Sequence, residues 1–127
     1  MNDEQEYLYH VYEDAWRLKD LPSHMRLPMF RYLAFGISGG GFMTSILSGN
    51  YYVAVSRADV DNLRQFTDWI RWLNESCPQE AWGSPAKVNS WCRAGGLKGL
   101  SQGALLASQQ QGRGKFIKQE ANVAASK

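Results

Sequence analysis

The chain has 127 residues, fourteen Lys and Arg against twelve Asp and Glu, and 44% apolar side chains that include five Trp, six Tyr and five Phe. That length suits one domain, and so many large side chains exclude a disordered chain as the bulk of the protein. No run of eighteen apolar residues occurs, so no membrane span is expected.

Residues 4–20 read as a first helix, with Leu8, Val11, Ala15 and Leu18 along one face, Tyr7, Tyr12 and Trp16 widening it, and acidic residues at its start. Leu21-Pro22 breaks it. Pro28 is expected to open a second helix, where its missing N–H is harmless, and Gly36 to close it near Phe35. Ser38-Gly39-Gly40-Gly41 then leads into a short third helix over Phe42 to Leu47, ended by Gly49-Asn50. Tyr51 to Arg57 is β-prone locally, but no other segment alternates, so helix is preferred over an unpartnered strand.

Asp59 is the expected N-cap of the main amphipathic helix, whose stripe is Leu63, Phe66, Ile70 and Leu73, flanked by Trp69 and Trp72. Trp82-Gly83-Ser84-Pro85 forms a turn in which Ser84 caps a last helix and Pro85 begins it. Val88, Trp91 and Cys92 share a face, and Gly95-Gly96 ends it. After Leu97 the composition shifts to Gly, Gln, Ser and Ala. The expected fold is therefore all-α: a compact single-domain bundle of five or six short helices over residues 1–96, with residues 97–127 as a flexible basic tail.

The charge is unevenly spread. Lys98, Arg113, Lys115, Lys118 and Lys127 against Glu120 give residues 98–127 a net +4, while residues 1–97 carry −2. A basic tail can touch nucleic acid weakly through phosphates, and a solvated end is the plainer reading. The acidic start, MNDEQEY, lacks a basic n-region, so no ordinary secretory signal is expected. Cys77 and Cys92 are expected as free thiols, and neither they nor His10 and His24 have metal-site spacing.

No catalytic motif is visible: there is no GxSxG, Ser84 has no base in a recognisable motif, and Cys77 has no activating neighbour. The chain is read as a non-enzyme without cofactor. The most suggestive feature is Gly39-Gly40-Gly41 before a helix, because backbone amides bind anions and glycine lets a ligand approach the backbone. It is neither a P-loop nor a dinucleotide fingerprint, and an ordinary interhelical turn is the alternative. His24, Arg26, Arg31 and Tyr32 are candidates to complete such a site by gripping phosphate or stacking on a base. Arg57, Asp59 and Asn62 form a second polar group, in which Asp59 is chiefly a cap.

The order and spacing of Leu21-Pro22-Ser23-His24-Met25-Arg26, Arg31-Tyr32, Gly36-Ile37, Gly41-Phe42, Ser56-Arg57-Ala58-Asp59 with Asn62, and Trp82-Gly83-Ser84-Pro85 with Val88 and Trp91 carry a resemblance. Over Leu21 to Gly96 the chain resembles a family of small, functionally uncharacterised phage and prophage proteins. That family has a proline in the turn before its Gly-Phe pair and an Asn-Asp pair after the third helix; here stand Ser38-Gly39-Gly40-Gly41 and Gly49-Asn50. The resemblance implies a phage accessory protein acting in the host bacterial cytoplasm, and no activity.

Two functional classes follow. In one, the protein sequesters a small phosphorylated or nucleotide ligand, such as a signal of host defence, through His24, Arg26, Arg31, Tyr32, Gly39, Gly40, Gly41 and Arg57. In the other, it blocks a host protein, with Tyr51, Tyr52 or Trp69 as anchors. Weak nucleic-acid binding through the tail ranks third, and the many aromatics suit a homo-oligomer.

Overall fold

The helix Ser23–Phe35 (α2) is the element around which the others are arranged. The computed structural model describes residues 2–101, and among them are seven α-helices up to Ala94, a further helical stretch over 96–101, two 3-10 turns and no strand. The all-α expectation therefore holds, with more and shorter helices than five or six. No helix among the described residues is long and apolar enough to cross a membrane.

α2 starts directly after Pro22 rather than at Pro28, which lies inside it. Pro28 removes the backbone bond that would reach the His24 carbonyl, at a cost of about 3 kcal/mol in an ordinary helix interior. Met25, Met29, Phe30, Tyr32, Leu33 and Ala34 are all buried from α2. Each large side chain contributes about 1.5–3 kcal/mol on full burial, so tertiary packing outweighs the missing bond. Gly36 closes α2 in the left-handed conformation, as its position suggested.

The first helix is shorter than expected. Asp3–Ala15 (α1) is capped by Asn2, whose side chain accepts from the Gln5 N–H, and it stops before Arg17, a left-handed residue with φ of 53°. That break resets the helical phase. Leu18 is then buried from a separate 3-10 turn, Leu18–Asp20, while Val11 is exposed and Leu8, Tyr9 and Tyr12 face the core instead.

Gly41–Leu47 (α3) and Tyr51–Arg57 (α4) pack as an antiparallel hairpin joined through Gly49 and capped by Asn50. Gly49 has φ of +83°, and the Gly83 carbonyl lies 3.0 Å from where a Cβ would stand. The Gly83 N–H bonds the Leu47 carbonyl at 2.8 Å, which pins the hairpin to the Trp82–Ser84 turn.

The amphipathic helix after Asp59 is broken at Gln65 into Val60–Arg64 (α5) and Phe66–Glu75 (α6). The break turns the stripe. Leu63 is exposed, Phe66 and Ile70 are half-buried, and Trp69, Trp72 and Leu73 form the buried face with Asn62. The tryptophans are thus the centre of the contact and not its flanks. Ser84 and Pro85 begin Pro85–Ala94 (α7) as expected, with Val88 and Trp91 buried.

Residues 96–101 are helical again, inside the stretch read as tail, and Leu97 packs against the core. The expected docking of Leu105, Leu106 or Phe116-Ile117 from the tail falls outside the described residues. Gly36 and Gly96, both with positive φ, pass backbone against backbone: a Cβ on Gly96 would stand 2.5 Å from the Gly36 nitrogen and 2.6 Å from that of Phe35. No flexible side chain is present to yield. Gly96→Ala is expected to destabilise the fold by about 2 kcal/mol or more. Urea unfolding measures this, and an unchanged midpoint would mean the two glycines do not cross closely.

Candidate functional site

Two sequence-distant stretches, the start of α2 and the α4–α5 connection, meet in a polar cluster. His24 is the second residue of α2, and its Nε2 lies 2.8 Å from Asp59 Oδ2. The other carboxylate oxygen, Oδ1, accepts the Asn62 backbone N–H at 2.8 Å and so caps α5. Asn62 is 2% exposed, the one buried polar residue among those described.

The hydrogen-bond chemistry fixes the orientation of each group. The Trp69 indole only donates, so its 3.0 Å contact assigns the acceptor as Asn62 Oδ1 and turns the Asn62 amide nitrogen toward His24. That nitrogen is 3.5 Å from His24 Nε2. A ring nitrogen that donates to a carboxylate has no lone pair left for an amide donor. The 2.8 Å bond to Asp59 is the stronger, so His24 carries its proton on Nε2 and the Asn62 contact is one of packing.

Arg57 sits two residues before Asp59. Its guanidinium lies across Gly41, where a Cβ would come within 2.6 Å of Nη1, and it joins no ion pair among the described residues. Beside it, the glycine run shows an unexpected property. None of Gly39, Gly40 and Gly41 has a positive φ, so the backbone itself does not demand glycine there. A Cβ on Gly39 or Gly41 would press on the Met43 or Arg57 side chain, whereas one on Gly40 would meet nothing within 4 Å.

Of the eight candidate ligand residues, Gly39, Gly40 and Gly41 lead into α3 with the Arg57 guanidinium packed over Gly41, while His24 meets Asp59 and Asn62 instead. Tyr32 is elsewhere and inaccessible: it is fully buried, its hydroxyl donates to the Ala81 carbonyl at 2.5 Å, and its own carbonyl accepts the Trp91 indole N–H at 2.9 Å. Burial drives its phenol pKa far above the usual value. Arg26 holds the preceding turn together, donating from Nε to the Leu21 carbonyl at 3.0 Å and from Nη2 to that of Lys19 at 3.1 Å. Arg31 is half-buried on α2 and joins no ion pair among the described residues.

Trp69, expected as an exposed anchor, is fully buried, while Tyr51 and Tyr52 are exposed. Asn62 was legible as part of a polar group but not as its buried centre. The available signal was its spacing, three residues after a cap and two helical turns before Trp69.

No group of three metal-ligating side chains occurs among the described residues. Both cysteines are unpaired, and burial raises the pKa of each, most strongly at Cys77, which suits inert thiols. An apolar depression of about 200 Å³ lies between Leu8, Tyr12, Ala34 and Leu97, with Glu4, Lys98 and Ser101 also on its wall. It contains none of the candidate ligand residues. Compared with protein-family models, curated proteins and solved structures, the chain matches none.

The cluster makes two measurable statements. Asn62→Ala removes the only acceptor for a buried indole N–H and is expected to cost about 2–3 kcal/mol in chemical denaturation; a neutral result would mean that Trp69 finds another acceptor. The Asn62 backbone N–H first, and His24 second, hold the Asp59 carboxyl below its usual pKa. A depressed carboxyl pKa stabilises the fold above the unfolded value, about 4, and that contribution is lost as pH falls from there through the lower folded value. Asp59→Asn, which keeps a capping side chain, is expected to flatten the stability–pH curve below about pH 5. Parallel curves for the two proteins would remove Asp59 from the acid response.

Proposed function

We propose that the protein is a non-catalytic phage accessory protein that holds a small phosphorylated ligand on the Gly39–Gly41 turn beside the end of α4, in the cytoplasm of a bacterial host. The observation that carries this reading is the open space over Gly40 beside the Arg57 guanidinium, which joins no ion pair among the described residues. Gly40 is the N-cap of α3, a position that suits glycine, and among the described residues nothing packs over it. A ligand can rest against the backbone there. Arg57 supplies a planar cation suited to phosphate. The family resemblance supports the phage setting, since His24, Gly41, Arg57, Asp59 and Asn62 are among the residues that carry it.

The reading changes which residues matter. Arg26 and Tyr32 have structural roles and His24 is engaged by Asp59, so the ligand would rest on Arg57 and the glycine turn. Thermal shift against mono-, di- and cyclic nucleotides is the first screen, because a ligand at 100 times its Kd adds about 2.7 kcal/mol of stability. Arg57→Ala and Gly40→Val are expected to abolish any such shift while leaving the unliganded melting temperature within a few degrees. A nucleotide shift that survives both substitutions would sink the proposal.

The competing reading is capture of a host protein, and the exposure of Tyr51 and Tyr52 favours it. It is separated by the same variants: host-protein binding would be indifferent to Gly40→Val and sensitive to Tyr52→Arg.

A further inference from the structure

The apolar depression of about 200 Å³ lies where the described chain ends against α1. One side of it is a single line along α1, Glu4, Leu8 and Tyr12 at i, i+4 and i+8, with Ala34 of α2 beside them. The other side is the helical stretch 96–101, which contributes Leu97, Lys98 and Ser101. That stretch is tied down by the packing of Leu97 on the core and by the ion pair of Lys98 with Glu4. The volume falls below the roughly 300–1,000 Å³ of sites that enclose a small molecule, so the depression suits an apolar side chain better than a cofactor.

We propose that this chain covers the depression itself: the helix of 96–101 runs on for at least one more turn and seats Leu105 against Leu8 and Tyr12. Three arguments select that occupant. The first is position. Ser101, the last described residue, is helical and lines the depression, so the chain beyond it sets out from the depression's own wall. Leu105 follows four residues later, about 6 Å on along a helix axis and at most about 14 Å on in an extended chain. Phe116 and Ile117 would have to close a longer loop to reach the same place.

The second is register. The three lining residues of the last stretch, Leu97, Lys98 and Ser101, stand at i, i+1 and i+4. Counted on at 3.6 residues per turn, Ala104 and Leu105 fall at i+7 and i+8, on that same face, whereas Leu106 at i+9 falls on the opposite side. The third is charge. The first turn of α1 is acidic, with Asp3, Glu4 and Glu6, while residues 107–127 carry Arg113, Lys115, Lys118 and Lys127 against Glu120. A segment led past this end of α1 brings the sign that its surface attracts, as Lys98 does at Glu4. This proposal is independent of the ligand reading, because neither the glycine turn nor Arg57 lines the depression.

The test is methyl and aromatic NMR of the full chain, with melting temperature as a second readout. Nuclear Overhauser contacts are expected from the Leu105 methyls to the Tyr12 ring and the Leu8 methyls. Leu105→Ser in the full chain is expected to shift the Leu8 and Tyr12 resonances and to lower the melting temperature by about 4 °C or more. Leu106→Ser, one residue on, is expected to leave those resonances in place and the melting temperature within about 1 °C. Absence of the Leu105 contacts overturns the proposal, and so does an equal response to the two substitutions. Contacts that appear only between differently labelled copies in a mixed sample assign the depression to a second chain, which overturns it as well.

Discussion

Tyr32 is the joint on which the molecule depends. Its hydroxyl reaches the Ala81 carbonyl, forty-nine residues on, and its carbonyl receives the Trp91 indole, fifty-nine residues on. One residue of α2 thereby fixes both the Gln79–Ala81 turn and α7. A buried phenol or indole that lacked these partners would carry the full desolvation penalty of its polar atom, about 1–3 kcal/mol each. The same device recurs at Trp72, which donates to the Trp16 carbonyl, and at Trp69, which donates to Asn62. The core is apolar in bulk, but its large rings are oriented by directed bonds from their polar edges.

This arrangement explains which parts of the fold were legible in the sequence. Caps and stops were readable because they are local: Asp59, Ser84, Pro85 and the closing Gly36 and Gly95 occupy the positions their chemistry suggests. Breaks caused by tertiary packing were not. Arg17 in the left-handed region and the interruption at Gln65 each shift the phase of a helix, so a stripe counted straight through them points to the wrong side chains. Val11 and Leu63 were placed inward by that count and face water. Pro28 misled in the opposite sense, since the packing of Met25 and Met29 extends α2 past a residue that normally begins a helix.

The candidate site divides along the same line. Residues near one another in sequence, Gly39 to Gly41 and Arg57 to Asp59, were recognisable as polar or flexible groups. The pairing of Asp59 with His24 was not, because it joins residues thirty-five positions apart. Tyr32 and Arg26 drew attention for the same chemistry that gives them structural roles: a phenol that can bind a ligand can equally bind a buried carbonyl, and a guanidinium that can grip phosphate can equally cap a turn. Sequence alone does not separate those uses, and only burial and partner geometry do.

The three indole bonds also say how the chain must assemble. Two of them, from Trp72 to Trp16 and from Trp91 to Tyr32, close loops of more than fifty residues. The helices themselves are short, and several have fewer than eight residues, too few to persist in isolation. Local helix formation therefore cannot run ahead of long-range closure as it does in simple bundles. The buried indoles are therefore satisfied only once the α1–α2 half meets the α6–α7 half, so the polar edges of the core close last and together.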